Sequence, residues 1–447
     1  MNSWLGITVV LVSLGGAFLS IQYLNKRLKL HPEIPRKLMH VLMGLLAATF
    51  PWIFSELWPV LLLSVLSLPA LLIVRSGAAG SLQNVVHGVE RASWGELLFP
   101  IAVALLFALA RDDALLYTLP ILILAVSDAV AALIGIFYGR IHFSTLEGYK
   151  SVEGSIAFLF VTFLTAHVAL LLCSDIGRPE SLLIAVLIGV VVMMAEASAW
   201  RGLDNLFIPV SVFALLQTFL PMEFGELVLQ ALVILALGFF VLSWRKRSTF
   251  DDSALLGGIL AAYSTWVLGG VYWLCVPVLM FLLGTWLSPP ARIEERRNPH
   301  TVYAVLSITG VSLTWLMINT GLPGLDLFFP YALGFGAHLA MLGVAREHLG
   351  RDKLGLTALF GKAIPPGWAI VMVPYGVKYG LTASLVSVGL ITLAVLLASS
   401  IVFLRLQPRL DDCPVDIARW VRQASIASLV SLLGWLVPLS VTGTFAG

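Results

Sequence analysis

Apolar residues in this chain of 447 residues run on in long blocks without strand-like alternation. Each block is long enough to cross the roughly 30 Å hydrocarbon core of a bilayer as a helix. In the first half they cover 3–24, 38–54, 57–74, 95–110, 115–138, 154–173, 181–199, 206–221 and 227–244. In the second half they cover 253–269, 271–288, 302–319, 327–345, 368–385, 386–405 and 425–442. A barrel would instead show alternating pieces of about 10 residues. The pattern predicts an all-α, polytopic integral membrane protein with 14–16 transmembrane helices, the lower count allowing for re-entrant Gly/Pro-containing segments after 365.

Composition agrees. Hydrophobic residues make up 59% of the chain and charged residues 12%, against about 25% charged in soluble proteins. So few charges cannot coat a soluble body of this size, so lipid must surround most of it. The formal charge of +2 assembles no basic face, which excludes nucleic-acid binding of the usual kind. Cys173, Cys275 and Cys413 lie far apart and show neither disulfide nor zinc spacing.

The first run lacks a basic n-region and a small-residue cleavage site, so it reads as a span rather than a cleaved signal. Orientation follows from lysine and arginine. The segment 25–37 carries Lys26, Arg27, Lys29, Arg36 and Lys37 and is expected to be cytoplasmic. Alternating from there, cytoplasmic segments receive thirteen basic residues and external ones only Arg111 and Arg178. The polar stretch Arg245–Asp252 marks the expected boundary between two modules, 1–247 and 248–447.

A few charges are not explained by topology. Asp128 lies inside an apolar run. A carboxylate there costs about 2.5 kcal/mol or more on insertion scales and points to function. Ala132, Gly135 and Gly139 share its helical face, where small side chains admit a ligand or a neighbouring helix. Lys150-Ser151-Val152-Glu153-Gly154 reads as an anion site: a lysine before a helix N-terminus whose first turn a glycine leaves open. The competing reading is a simple cap by Ser151. Asp128, Glu153, Glu196 and Asp204 offer oxygen ligands suited to Mg²⁺ together with phosphates. A metal, a cationic clamp and a base are what phosphoryl transfer to an alcohol requires.

Five elements in order resemble the polyprenol kinase family, which includes dolichol and phytol kinases. They are Arg36-Lys37 with His40; Arg91-Ala92-Ser93-Trp94-Gly95-Glu96; Asp128-Ala129-Val130-Ala131-Ala132 through Gly135 and Gly139-Arg140; Lys150 to Ser155; and Glu196 with Asp204-Asn205-Leu206 and Pro209. The resemblance implies phosphoryl transfer, usually from CTP, to a membrane isoprenoid alcohol at the cytoplasmic face. On it, Asp128, Glu153 and Glu196 are the expected catalytic carboxylates, and Asp128 and Asp204 the expected Mg²⁺ ligands. Lys150, Ser151, Gly154, Arg140, Arg91, Gly135 and Gly139 are expected around the nucleotide, with Glu96, Asn205 and His40 in support. The Asp helix and the Lys-x-x-Glu-Gly element are also similar to those of phosphatidate cytidylyltransferases, but Glu147-Gly148-Tyr149 stands where those enzymes carry Ser-Pro.

The second module resembles the membrane family that includes plant phytyl-phosphate kinases. The resemblance rests on Ser253–Gly257, Gly269-Gly270 with Trp273, Arg296-Arg297-Asn298, and a Pro365-Pro366-Gly367 turn. It departs from that family at Ser307-Ile308-Thr309-Gly310 and at Ala345-Arg346-Glu347, where the acidic motif is lost. Arg346, Glu347, His348, Arg351, Asp352 and Lys353 read as a solvated interhelical loop, as do Asp411, Asp412 and Asp416. The expectation is a CTP- and Mg²⁺-dependent phytol-type kinase in a bacterial inner membrane. Alternatives are a cytidylyltransferase, a dual alcohol and monophosphate kinase, and a lipid transporter or scaffold.

Overall fold

The computed structural model describes residues 2–75, 94–110, 113–146, 148–245, 248, 250–287, 300–322, 324–348, 355–382, 384–407 and 417–436. Arg91, Glu147, Arg296 to Asn298, Arg351 to Lys353, Asp411 to Cys413 and Asp416 lie outside the described residues, as does the side chain of His348. The chain divides into two compact units, Met1–Leu232 and Val233–Gly447.

The first unit contains α1 (Ser3–Leu28), α2 (Glu33–Ala48), α3 (Phe50–Ile53), α4 (Leu57–Arg75), α5 (Gly95–Ala110) and α6 (Ala114–Tyr138). A hairpin of β1 (His142–Thr145) and β2 (Gly148–Ser151) follows, then α7 (Val152–Cys173), α8 (Arg178–Ser198) and α9 (Asp204–Phe219). Helix α10 (Phe224–Trp244) carries the divide within it. The second unit continues with α11 (Asp252–Gly269), α12 (Val271–Leu287), α13 (Val302–Gly321), α14 (Phe328–His348), α15 (Leu356–Tyr379), α16 (Ser384–Leu406) and α17 (Ile417–Leu436). Among the described residues nine helices are long and apolar enough to cross a membrane: α1, α6, α7, α8, α10, α13, α14, α15 and α16. The protein is all-α and polytopic, with one small hairpin.

Helix α6 is the axis of the first unit and packs against α2, α5, α7 and α9. Its residues Leu119, Ile121, Ile123, Leu124 and Ala125 are buried. Lipid gives helices no hydrophobic reason to associate, so close approach at small residues and interhelical hydrogen bonds carry the packing. Both occur here. A Cβ on Gly44 of α2 would collide with Ala125 of α6. Tyr117 Oη donates to Ala47 O at 2.9 Å, and Thr118 Oγ1 to Ala48 O at 3.1 Å. These contacts set the register between α2 and α6.

In the second unit the buried helix is α14, packed against α13, α15, α16 and α17. A Cβ on Gly336 would lie 2.8 Å from Gly367 O, and one on Gly343 would lie 2.9 Å from Ala363 Cα. That close approach explains a difference from expectation. Pro365-Pro366-Gly367 is neither a turn nor the start of a re-entrant piece but lies inside α15, which begins at Leu356. The prolines remove backbone donors without breaking the helix because α14 packs directly against this stretch.

Other boundaries shift for local reasons. The run 38–54 breaks at Thr49, which bonds back to Leu46 O before Pro51 restarts the chain as α3. The last described helix, Ile417–Leu436, begins before the expected 425, and 437–442 lie outside the described residues.

Candidate active site

The site is built from four places in the first unit. The first turns of α2 present Lys37 and His40, three residues apart and therefore on one face. Lys37 is buried, and its Nζ donates to Asp128 Oδ2 of α6 at 2.5 Å. His40 Nε2 stands 3.5 Å from the same oxygen, without the alignment of a hydrogen bond. Arg36, one residue away, pairs instead with Glu33 at 2.6 Å.

The second place is the hairpin. Antiparallel pairing of Phe143 with Lys150 and His142 with Ser151 fixes the strands, and Gly148 takes the positive φ of 118° at the turn. Lys150 leaves β2 to donate to both the backbone carbonyl and the carboxylate of Glu196, the latter at 2.7 Å. Burial disfavours the Lys150 ammonium. The Glu196 carboxylate and then Asp204, with Asp128 farther off, more than offset that, so its pKa lies above the ordinary lysine value.

The third and fourth places are the end of α8 and the start of α9. Glu196 lies in the last turn of α8, and Asp204 opens α9. The turn between them passes through two left-handed residues, Arg201 at φ 52° and Gly202 at φ 81°. Trp94 N–H donates to Arg201 O at 2.7 Å, which ties the start of α5 and its Glu96 to this turn. Asn205 Nδ2 steadies it through Gly202 O at 3.3 Å. Among the described residues Asp204 has no ion-pair partner within 4 Å, and it receives only a long 3.5 Å contact from Asn205.

The structure therefore gathers Asp128, Lys150, Glu196 and Asp204, with His40 beside them. It does not gather every residue expected in catalysis or around the nucleotide. Glu153 turns away and accepts the Ile141 N–H at 3.2 and 3.3 Å, closing the hairpin onto α7. Ser151 caps α7 by accepting the Gly154 N–H at 3.1 Å, so that donor is not open to an anion. Nor is the first turn of α7 open. A Cβ on Gly154 would lie 2.9 Å from Ala131 O and 3.3 Å from Gly135 Cα. Gly135 and Gly139 also face Ser151, so all three glycines occupy the crossing of α6 and α7. Arg140 is exposed beside the hairpin.

Lys37 contacts the cluster through Asp128, although sequence reasoning did not place it among the site residues. Its three-residue spacing to His40 was the available signal, since a buried carboxylate such as Asp128 requires a cation.

Three carboxylates (Asp128, Glu196, Asp204) face two lysines (Lys37, Lys150). Among the described residues no three His, Cys, Asp or Glu side chains form a ready metal cage. This donor set fits Mg²⁺, which takes one or two carboxylates and fills its remaining positions with water and substrate phosphates. Asp204, which has no ion-pair partner within 4 Å among the described residues, and Asp128 could serve as such ligands.

Fold and site define the class: a polytopic α-helical membrane protein with a cluster of paired lysines and carboxylates at helix ends. Within that class, the chain is 28% identical over 216 residues to the curated "Phytol kinase" of Synechocystis sp. (strain ATCC 27184 / PCC 6803 / Kazusa). The match covers 46% of this chain and 88% of that protein. No family model and no solved structure matches the chain.

Proposed function

We propose that this protein is a membrane kinase that transfers the terminal phosphoryl group of a nucleoside triphosphate, CTP by preference, to the hydroxyl of a phytol-like isoprenoid alcohol. The observation that carries this reading is the pair of lysine–carboxylate contacts, Lys150–Glu196 and Lys37–Asp128, in a chain similar to a phytol kinase over most of that enzyme's length. Lys150, held charged by its carboxylate neighbours, binds the triphosphate. Asp128 and Asp204 hold Mg²⁺, with Lys37 and His40 fixing the Asp128 carboxylate. Bound there, Mg²⁺ neutralises phosphate charge and polarises the phosphoryl oxygen. Glu196 accepts the proton of the alcohol as its oxygen bonds to the terminal phosphorus and the bond to the nucleoside diphosphate breaks. The basic-residue bias of the connecting segments favours a cytoplasmic site.

Purified protein in lipid nanodiscs is incubated with terminally labelled CTP, UTP, GTP or ATP, Mg²⁺, and phytol, farnesol or a polyprenol. The expected result is a lipid monophosphate and a nucleoside diphosphate, lost in Asp128→Asn and Lys150→Ala. A cytidine-linked lipid with released pyrophosphate identifies a cytidylyltransferase instead, and a lipid diphosphate identifies the dual kinase. Undiminished product in both variants refutes the assigned site.

A further inference from the structure

A cavity of about 450 Å³ opens between α4 and α5, and its lining is almost wholly apolar. Leu68 and Leu72 of α4 face Leu98 and Ile101 of α5, and Trp200 and Leu203 close one end. Along one side Leu72, Trp94 and Ile101 are each about half exposed, so a hydrocarbon can enter laterally from a bilayer. The turn that supplies Trp200, Arg201 and Leu203 to the lining runs directly into the residues of the polar cluster. Leu203 directly precedes Asp204, and Trp200 stands four residues beyond Glu196.

We propose that this groove holds the hydrocarbon chain of the alcohol acceptor and sets which chains are accepted; the assignment rests on the kinase reading above. Its size is that of a small-molecule pocket. Its lining offers an alkyl or isoprenoid chain no polar partner except at the turn 200–203. There Asp204 and Glu196 suit a neutral hydroxyl, which donates a hydrogen bond to a carboxylate. Arg201 also lines this end, so the hydrogen bond from the hydroxyl, and not repulsion of an anionic head, favours the alcohol. Seated this way, a lipid alcohol brings its only polar atom to the charged cluster while its tail stays in apolar surroundings.

The turn keeps groove and cluster in register. The bond from Trp94 N–H to Arg201 O joins the first turn of α5, which forms one wall, to the segment that delivers Asp204. Chain selection and hydroxyl placement are thus coupled through one backbone contact. A tail too bulky for the groove pulls its hydroxyl back from the carboxylates, and the acceptor reacts more slowly even though it still dissolves in the membrane.

Two measurements test the assignment. A farnesol analogue carrying a diazirine on its tail is photolysed with the full-length protein in nanodiscs, and labelled peptides are mapped. Label on residues 68–72, 97–101 or 200–203, displaced by phytol but not by added phosphatidylglycerol, is expected. Label elsewhere, or equal displacement by phospholipid, overturns the groove. In the second, Leu72→Trp and Ile101→Trp, both on the exposed rim where the fold tolerates bulk, narrow the cavity. The ratio of kcat/KM for phytol over geraniol is expected to fall by about tenfold or more, the range by which a pocket discriminates hydrocarbon bulk. An unchanged ratio in both variants overturns the assignment. If the unmodified protein phosphorylates no isoprenoid alcohol, the kinase reading fails, and the labelling experiment decides on its own whether the groove binds one.

Discussion

The contact between Lys37 and Asp128 supports a quantitative test, because both partners lie where an unpaired charge is costly. Lys37 is 7% exposed, and its Nζ is 2.5 Å from the carboxylate. Lys37→Met leaves Asp128 without its cation, and breaking a buried pair from one side costs about 3–5 kcal/mol. His40, whose ring lies 3.5 Å from the same oxygen, still offers it a polar neighbour, which places the expected loss near the lower end, about 3 kcal/mol. For a folding unit spanning Met1–Leu232, each kcal/mol moves the melting temperature by about 2–4 °C, so the variant is expected to melt about 6–12 °C lower. Asp128→Asn is milder, about 1–2 kcal/mol, because the amide oxygen still accepts a hydrogen bond from Lys37. Removing both charges, with Lys37→Met and Asp128→Leu together, is expected to return stability close to that of the native chain. Thermal unfolding followed by tryptophan fluorescence, in one fixed detergent–lipid mixture, measures all four proteins. The reasoning is refuted if Lys37→Met melts within about 1 °C of the native chain. It is equally refuted if the double variant melts no higher than Lys37→Met alone, since removing the second charge relieves the unpaired first.

Two further outcomes follow from neighbouring geometry. Because Lys150 has a raised pKa in the folded state, its pairing stabilises the fold fully at neutral pH and is lost as pH rises through the folded value. Glu196→Gln removes the largest raising influence, so the alkaline limb of CTP affinity plotted against pH is expected to move to lower pH. The same change at Glu153, whose carboxylate bonds Ile141, leaves that limb in place, and equal shifts in both variants would contradict the arrangement. Gly154→Ala forces a Cβ to 2.9 Å from Ala131 O and is expected to destabilise by about 1–3 kcal/mol, as overpacking does. Gly15→Ala, with nothing within 4 Å of the added carbon, serves as its control, and identical melting of the two variants would mean that α6 and α7 are not so closely packed.

Much of the site can be read along the chain because membrane spans tolerate few ionisable residues. Asp128 stands out for its cost in an apolar run, and Lys150, Glu196 and Asp204 are candidates for the same reason. The glycines were harder to interpret. Gly135, Gly139 and Gly154 signal either a ligand's approach or a helix crossing, and one-dimensional spacing cannot separate these, since both need the same absence of a side chain. Glu153 bonds the Ile141 amide instead of joining the cluster, a contact hidden in the sequence because a carboxylate two residues past a strand can reach back to a hairpin that has no apolar signature of its own. Lys37 looked like one of several lysines and arginines in a topology-setting segment. Only its burial against α6 distinguishes it from Lys26 and Lys29.

What the sequence determined by itself was the solvent and the element type. Long unbroken apolar runs admit only helices in lipid, because every backbone donor and acceptor there must be satisfied within its own segment. The sequence also determined which residue types were available for chemistry, since charges in such a chain are too few to be incidental. The tertiary structure alone decided which of those charges meet. The Gly44–Ala125 approach sets α2 against α6 and brings Lys37 to Asp128. The left-handed turn at Arg201-Gly202 carries Asp204 toward Lys150 and Glu196. Those meetings depend on helix crossings and one tight turn, and both arise from packing between segments far apart in the chain rather than from any local run of residues.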